Sequence, residues 1–191
     1  MLSLASSLSP QFAVGMADSM SIFHNTHYKE AYPQVDSKKE TSLQCLEDAM
    51  IHALIRKESK FNPMALSQAG ACGMMQVMPS TAKMVAQKLG IDFSETRLKT
   101  DPHYNMLIGT AYLKERLEDY QGSIILTLAA YNAGPGSVRK WIERYGDPRN
   151  PEVDPIDWVE KIPYSETRNY IQRVMENNVV YQAIFKVKEE E

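Results

Sequence analysis

Apolar side chains along this chain recur three and four residues apart, and the alternation that marks half-buried β-strands never persists. The clearest run spans residues 43–59, where one stripe is formed by Leu43, Leu46, Met50, Ala53 and Leu54. Side chains at this spacing share one face of a helix, and that face is apolar enough to be buried. The pattern predicts an all-α, mainly helical fold.

Proline and glycine divide the rest of the chain into further helices. The predicted helices run from Pro79 to near Gly90, from about His103 to Tyr120, from Ser123 to Ala133, from Ser137 to Tyr145 and from Ser165 to Phe185. Residues 146–155 contain three prolines and are predicted to form a loop. Two short helical pieces, residues 2–8 and 11–24, are expected ahead of a polar linker.

Charge and length exclude several classes of protein. The chain has 191 residues, 43% of them apolar, which suits one domain with a short extension. Its net charge of −3 comes from 21 basic and 24 acidic residues with no basic block, so a nucleic-acid partner is not expected. No window approaches the roughly 18 apolar residues of a membrane-spanning helix.

Cysteine and histidine positions do not indicate a metal site. A helix that contains Cys45 and ends at Glu58 would place these residues about 20 Å apart, with Cys72 in the loop beyond. We therefore expect free thiols instead of a disulfide. The four histidines, at positions 24, 27, 52 and 103, lack a ligand spacing and are expected to be core or surface residues. No metal or other cofactor is expected.

One carboxylic acid occupies an unusual position. Glu58 follows Met50 and Leu54 at four-residue intervals, so it is expected to point inward in the last turn of its helix. Burial and the negative end of the helix dipole would both raise its pKa, as a general acid working near neutral pH requires. The ordinary alternative is a surface ion pair with Lys57 or Lys60.

Three motifs follow Glu58 in order: GMMQVMPSTA at 73–82, AAYNAGPG at 129–136 and IPYSETRNY at 162–170. Each has a structural explanation of its own. The methionines can fill a core, the Gly-Pro-Gly segment can separate two helices, and Ser165 can cap the last helix. Their joint occurrence after a Glu-Ser pair favours a functional interpretation.

With these motifs the chain resembles the family-one lytic transglycosylases, and within them the catalytic domain of the soluble type. The resemblance covers about residues 26–186, including Ala-Tyr-Pro at 31–33. It implies a lysozyme-like helical domain over residues 31–191, preceded at residues 1–30 by the end of an N-terminal helical domain or a linker. We therefore expect the chain to be a piece of a longer exported protein.

The resemblance also implies roles for individual residues. Glu58 matches the catalytic acid, and Ser59 follows it as a supporting residue. Ser67 matches a serine of the glycan groove, while Gln76 and Met78 match residues of the groove floor beside the acid.

The two later motifs imply further substrate contacts. Tyr131 matches the tyrosine next to the bond to be cut, and Asn132 follows it in the same Tyr-Asn-Ala-Gly-Pro motif. Glu166 matches an acid near the sugar or its peptide, with Tyr170 nearby.

By the same resemblance the expected activity is that of a peptidoglycan lytic transglycosylase, a carbon–oxygen lyase. It would cleave the β-1,4 bond between N-acetylmuramic acid and N-acetylglucosamine and form 1,6-anhydromuramyl ends without water. We expect a monomer in the periplasm or cell envelope of a bacterium. Its substrate would be peptidoglycan glycan strands, and cell-wall assembly or secretion machinery are the candidate protein partners.

Two alternatives stay open at the level of sequence. The first is a hydrolase of the goose-lysozyme type, in which Asp92, Asp101 or Glu166 supports an attacking water. The second is a glycan-binding module that has lost catalysis. A binding module does not require an inward-facing acid, so the combination of Glu58, Gln76 and Tyr131 favours an enzyme.

Overall fold

A computed structural model describes residues 31–35 and 48–189 of the chain. This part contains helices and no strand, which confirms the all-α prediction. The helices are α1 (Asp48–Ser59), α2 (Pro79–Leu89), α3 (Glu95–Thr100), α4 (Pro102–Asp119), α5 (Ile124–Ala133), α6 (Pro135–Tyr145), α7 (Pro155–Lys161) and α8 (Ser165–Glu189).

Local sequence explains where these helices begin and end. Proline occupies the first turn of α2, α4, α6 and α7, where its missing N–H has no intrahelical partner to lose. Asp101 and Asp154 cap α4 and α7 by accepting hydrogen bonds from backbone N–H groups of the first turn. Gly90 ends α2 in the left-handed conformation, with φ of 68°.

Helix α1 lies at the centre of the fold. Residues 49–55 are all buried, so this helix is enclosed on every side instead of along the single stripe that the sequence predicts. Helix α8 packs along it, and α5 packs against α8, α4 and α6. A helix without a polar face is typical of a core position. The chain beyond Ser59 therefore emerges from the interior of the domain.

The segment between α1 and α2 is an irregular loop, residues 60–78. Its backbone forms two isolated antiparallel bridges, from Cys72 to Leu66 and from Cys72 to Val77. Cys72 is a buried free thiol, as predicted, while Cys45 lies outside the described residues. This loop carries the first of the three motifs.

The predicted helices agree with the structure at most boundaries. The predicted loop at 146–155 extends to residue 154, because α7 begins at Pro155. Helices α3 and α7 were not predicted, since six and seven residues are too few to show an apolar period. The predicted pieces at 2–8 and 11–24 lie outside the described residues.

Two further sequence expectations concern histidine and the membrane. His52 is a core residue whose ring bonds to the backbone of Asp48 and Val35, and His103 is exposed. His24 and His27 lie outside the described residues. Within the described helices, none combines the length and the apolar character that crossing a bilayer would need.

Burial around α1 generates a stability prediction. Leu54 is fully buried, so Leu54→Ala should lower the free energy of unfolding by about 2–5 kcal/mol, from lost transfer energy and the cavity left behind. Leu89→Ala is the matched control, because Leu89 is 43% exposed at the end of α2. It should cost less than about 1 kcal/mol. Urea denaturation measures the free energy of unfolding of both variants. Equal decreases in that free energy would contradict the central position of α1.

Candidate active site

Glu58 lies where the central helix reaches the surface. It continues the line of Met50 and Leu54, both buried, and is itself half-buried. Two residues with positive φ, Lys60 at 51° and Phe61 at 63°, end the helix directly after it. The backbone therefore changes direction immediately after the helix that carries Glu58.

Burial raises the pKa of Glu58 from 4.5 to about 7. A hydrogen bond from Tyr170 and the charge of Lys57 lower this pKa, whereas the charge of Glu166 raises it further. The loss of hydration is the dominant effect, as expected for a carboxyl withdrawn from water. Near neutral pH both forms of the carboxyl are populated, so the group can donate a proton and accept one.

Two tyrosines flank the carboxyl. Tyr131 comes from α5 and Tyr170 from α8, and burial raises the pKa of each hydroxyl well above its usual value. The charge of Glu58 is the next largest influence on both pKa values, which reflects how close the three groups lie. Both hydroxyls therefore stay protonated and serve as neutral hydrogen-bond groups.

The two hydroxyls differ in how they are held. Tyr131 Oη donates a hydrogen bond of 2.9 Å to the carbonyl oxygen of Met75. Tyr170 is only 2% exposed, and its buried hydroxyl has no hydrogen-bond partner among the described residues other than the Glu58 carboxyl beside it. The Tyr170 hydroxyl therefore acts on Glu58 directly, whereas that of Tyr131 is held by the loop.

The loop after α1 carries three further residues expected at the site. Gln76 has φ of 48°, and its Nε2 donates to the carbonyls of Gly73 at 2.8 Å and Ala65 at 3.2 Å. Ser67 Oγ accepts from the N–H of Ala71 at 2.9 Å. Met78 is 38% exposed just before α2. Hydrogen bonds within the loop thus fix its shape.

The remaining residues expected at the site have contacts of their own. Ser59 Oγ donates to the carbonyl of Ile55 at 3.3 Å. Asn132 Oδ1 accepts a hydrogen bond of 2.7 Å from Thr167, which joins α5 to α8. Glu166 is exposed and acts on Glu58 only through its charge. Ser59 and Asn132 therefore have structural partners in addition to any part in substrate binding.

Sequence reasoning missed Tyr112 as a neighbour of the site. Its ring lies 5.4 Å from the ring of Tyr131, and the guanidinium of Arg116 lies 4.9 Å from the Tyr112 ring centre. Tyr112 and Arg116 are four residues apart on α4, a spacing that could have suggested their pairing. Their contact with Tyr131 joins separate helices and has no local signal.

The described residues include no cluster of side chains arranged as metal ligands. No group of three or more histidine, cysteine, aspartate or glutamate side chains in residues 31–35 and 48–189 could hold an ion.

Comparison with known proteins identifies the family to which the chain belongs. The family model "Transglycosylase SLT domain" matches residues 36–152, more than half of the chain. The chain belongs to the transglycosylase SLT family. A second model, "Soluble lytic transglycosylase helical domain", matches residues 161–190.

Relatives of this SLT domain include the soluble lytic murein transglycosylase of Escherichia coli K12, 35% identical over 159 residues. The alignment covers 81% of this chain and 24% of that protein, so the chain spans about a quarter of the relative's length.

Two solved structures share the lysozyme-like fold of this SLT domain. The 70-kDa soluble lytic transglycosylase of Escherichia coli has a TM-score of 0.82 and 32% identity, over 92% of this chain and 28% of that one. An inactive glutamate-to-glutamine variant of the lytic transglycosylase Slt from Pseudomonas aeruginosa has a TM-score of 0.83 and 32% identity, over 97% and 30%.

The electrostatics of this SLT site generate a titration prediction. In protein labelled with ¹³C-glutamate, the Glu58 carboxyl should titrate near pH 7, with its resonance assigned by loss in Glu58→Gln. Lys57→Met should raise the pKa of Glu58 because a stabilising positive charge is lost, and Glu166→Gln should lower it because a repelling charge is lost. Titration of Glu58 at the value of an exposed glutamate would contradict the effect of burial.

The raised pKa also predicts a change of stability with pH. The native state holds the Glu58 proton more tightly than the unfolded chain, so the contribution of Glu58 to stability is fully present below pH 4.5 and is lost as pH rises through 7. At pH 8 Glu58→Gln should therefore be more stable than the parent, by at most about 3 kcal/mol. Urea denaturation at pH 4 and pH 8 gives the free energy of unfolding of the parent and of the variant. The same difference between the two proteins at both pH values would contradict the effect of the raised Glu58 pKa on stability.

Proposed function

We propose that the chain is a peptidoglycan lytic transglycosylase in which Glu58 acts first as acid and then as base. The observation that carries this proposal is a half-buried carboxyl whose pKa lies near 7. One group with such a pKa can serve both proton transfers at neutral pH. The site offers it neutral tyrosine hydroxyls and no second buried carboxylate among the groups that act on it.

In the first step Glu58 donates its proton to the glycosidic oxygen between N-acetylmuramic acid and N-acetylglucosamine. The bond from C1 to that oxygen breaks, and its electron pair goes to the leaving oxygen. The carbonyl oxygen of the substrate's own N-acetyl group bonds to C1 and stabilises the positive charge as a cyclic intermediate. The substrate thus supplies the nucleophile that most glycosidases take from a second carboxylate.

In the second step the Glu58 carboxylate accepts the proton of the C6 hydroxyl while O6 attacks C1. The bond from C1 to the acetamide oxygen breaks, and its electron pair restores the N-acetyl group. The product is a 1,6-anhydromuramyl end, and Glu58 regains its proton without consuming water. Because O6 belongs to the same sugar, a site that holds the ring correctly gives it a high effective concentration relative to water.

The neighbouring residues have positioning and tuning roles in this proposal. The hydroxyls of Tyr170 and Tyr131 would orient the acetamide and the ring beside the carboxyl. Ser59, Ser67, Gln76, Met78 and Asn132 would contribute the surrounding groove. Glu166, being exposed at the edge, suits contact with the sugar or its peptide while also helping to keep Glu58 protonated.

A hydrolase of the goose-lysozyme type is the second candidate, and the acids available for it argue against it. Asp101 caps α4 and pairs with Arg97 at 2.9 Å, so its carboxylate is already engaged. Asp92 is not among the groups whose charge acts on Glu58, and Glu166 is exposed. None of the three has the partly buried position beside Glu58 that activation of a water would require.

The names of the relatives support the proposed substrate and the role of a glutamate. The similar protein of Escherichia coli is named for action on murein, and a glutamate-to-glutamine change inactivates the Pseudomonas aeruginosa neighbour. We extend these properties to residues 31–191 as a catalytic domain that works in a bacterial cell envelope. We keep the monomeric state and any partner in cell-wall assembly or secretion machinery as part of the proposal.

Glu58→Gln tests the role of the carboxyl. The amide keeps the shape of the side chain but can neither donate nor reclaim the proton, so turnover of purified sacculi should fall at least about a hundredfold. Glu118→Gln makes the same change at a carboxylate that is 67% exposed on α4, and it should retain parental turnover. Equal turnover by the two variants would show that the Glu58 carboxyl does not take part in the proton transfers.

The released fragments test the identity of the nucleophile. Mass spectrometry of the digest should find muropeptides lighter by one water than those a lysozyme releases, and borohydride should leave them unreduced. Fragments that carry reducing muramic ends would assign the reaction to a hydrolase.

A further inference from the structure

A buried amide on α4 holds the loop that carries the first motif. Asn105 is 1% exposed, in the first turn of that helix. Its Nδ2 donates to the carbonyls of Cys72 at 2.8 Å and Leu98 at 3.0 Å, and its Oδ1 accepts from the N–H of Met75 at 2.9 Å. An amide has two donors and an acceptor to offer, and here all three functions are used.

The peptide groups of Met75 are thereby fixed from two directions. The N–H of Met75 bonds to Asn105 on α4, while its carbonyl accepts from the Tyr131 hydroxyl on α5. Met75 itself is fully buried. A displacement of this residue would therefore be passed to the hydroxyl of Tyr131, which lies close enough to Glu58 for the carboxylate charge to raise the Tyr131 pKa.

Two glycines leave the space that Asn105 and Met75 occupy. We call the hydrogen bonds from Asn105 through Met75 to Tyr131 the clamp. A Cβ on Gly73 would overlap Nδ2 of Asn105, and a Cβ on Gly109 would lie 2.7 Å from Cβ of Met75. Asn105 and Gly109 are four residues apart and so share one face of α4. Met75 packs against that face. Asn105 bonds to its backbone N–H, and the absence of a side chain at Gly109 leaves room for the methionine side chain.

We propose that Asn105 is a positioning residue for the transglycosylase reaction: through the peptide of Met75 it sets the place of the Tyr131 hydroxyl beside Glu58. The proposal rests on the function proposed above for its kinetic consequence. Its structural content, the coupling of Asn105 to Tyr131, can be measured without any turnover.

The kinetic experiment compares Asn105→Ala with Thr110→Val on soluble glycan chains. Thr110 is also buried on α4, but its hydroxyl donates to the carbonyl of Met106 within its own helix, so it is a matched control. Asn105→Ala should lower kcat about tenfold or more with little change in KM, because small misplacements in a site are costly in rate. Thr110→Val should keep kcat within about twofold of the parent, because the hydroxyl that it removes bonds only to carbonyls of its own helix.

A double-mutant cycle separates positioning from general damage. Tyr131→Phe removes the hydroxyl through which Asn105 is proposed to act, so in that background Asn105→Ala should lower kcat by less than about threefold. The same loss in both backgrounds, or a loss of equal size in Thr110→Val, overturns the proposal. Gly109→Ala displaces Met75 without removing a hydrogen bond, and it takes the place of Asn105→Ala in the cycle if that variant does not fold.

A resonance of Tyr131 provides a readout independent of activity. The ¹³Cζ signal of Tyr131, assigned by its loss in Tyr131→Phe, should move in Asn105→Ala and Gly109→Ala and stay in place in Thr110→Val. An unmoved signal in the first two variants overturns the proposal. If the parent protein produces no anhydro ends, the proposed function fails, and this signal still decides whether Asn105 positions Tyr131.

Discussion

Withdrawal of the Glu58 carboxyl from water is the constraint on which the rest of the structure depends. The carboxyl lies at the end of a helix whose preceding residues, 49–55, are buried on every side, so its placement follows from the core itself. Burial raises its pKa to about 7. A charged carboxylate in this position is unfavourable, so ionisation of Glu58 lowers the stability of the domain above neutral pH. The same burial keeps the acid protonated up to about pH 7.

The surroundings of Glu58 act in opposite directions and so keep its pKa in a working range. Tyr170 and Lys57 favour the charged form, while burial and Glu166 favour the neutral form. Burial alone would leave the group a strong holder of its proton and a poor donor, whereas an exposed glutamate would already have lost it. The hydroxyls of Tyr131 and Tyr170 stay neutral beside it, so the carboxyl is the group that changes charge during the reaction.

Local pattern was sufficient for the long helices and for the inward position of Glu58, because both depend on residues three and four apart. It was insufficient for α3 and α7, whose capping residues Ser94 and Asp154 were the available signal. The clamp from Asn105 through Met75 to Tyr131 spans three separate segments. Such contacts arise only when helices pack. The family resemblance was therefore enough to single out Tyr131 and Tyr170, whereas their hydrogen-bond partners could be seen only in the structure.

The most direct test of the account follows the oxygen atoms of the reaction. Glu58 is proposed to have no partner carboxylate that activates water, so the nucleophile must come from the substrate. Sacculi digested in H₂¹⁸O should therefore release muramic ends that contain no ¹⁸O, as measured by mass spectrometry of the separated fragments. Incorporation of one ¹⁸O atom at C1 for each bond cleaved would show that water is the nucleophile and would contradict the account.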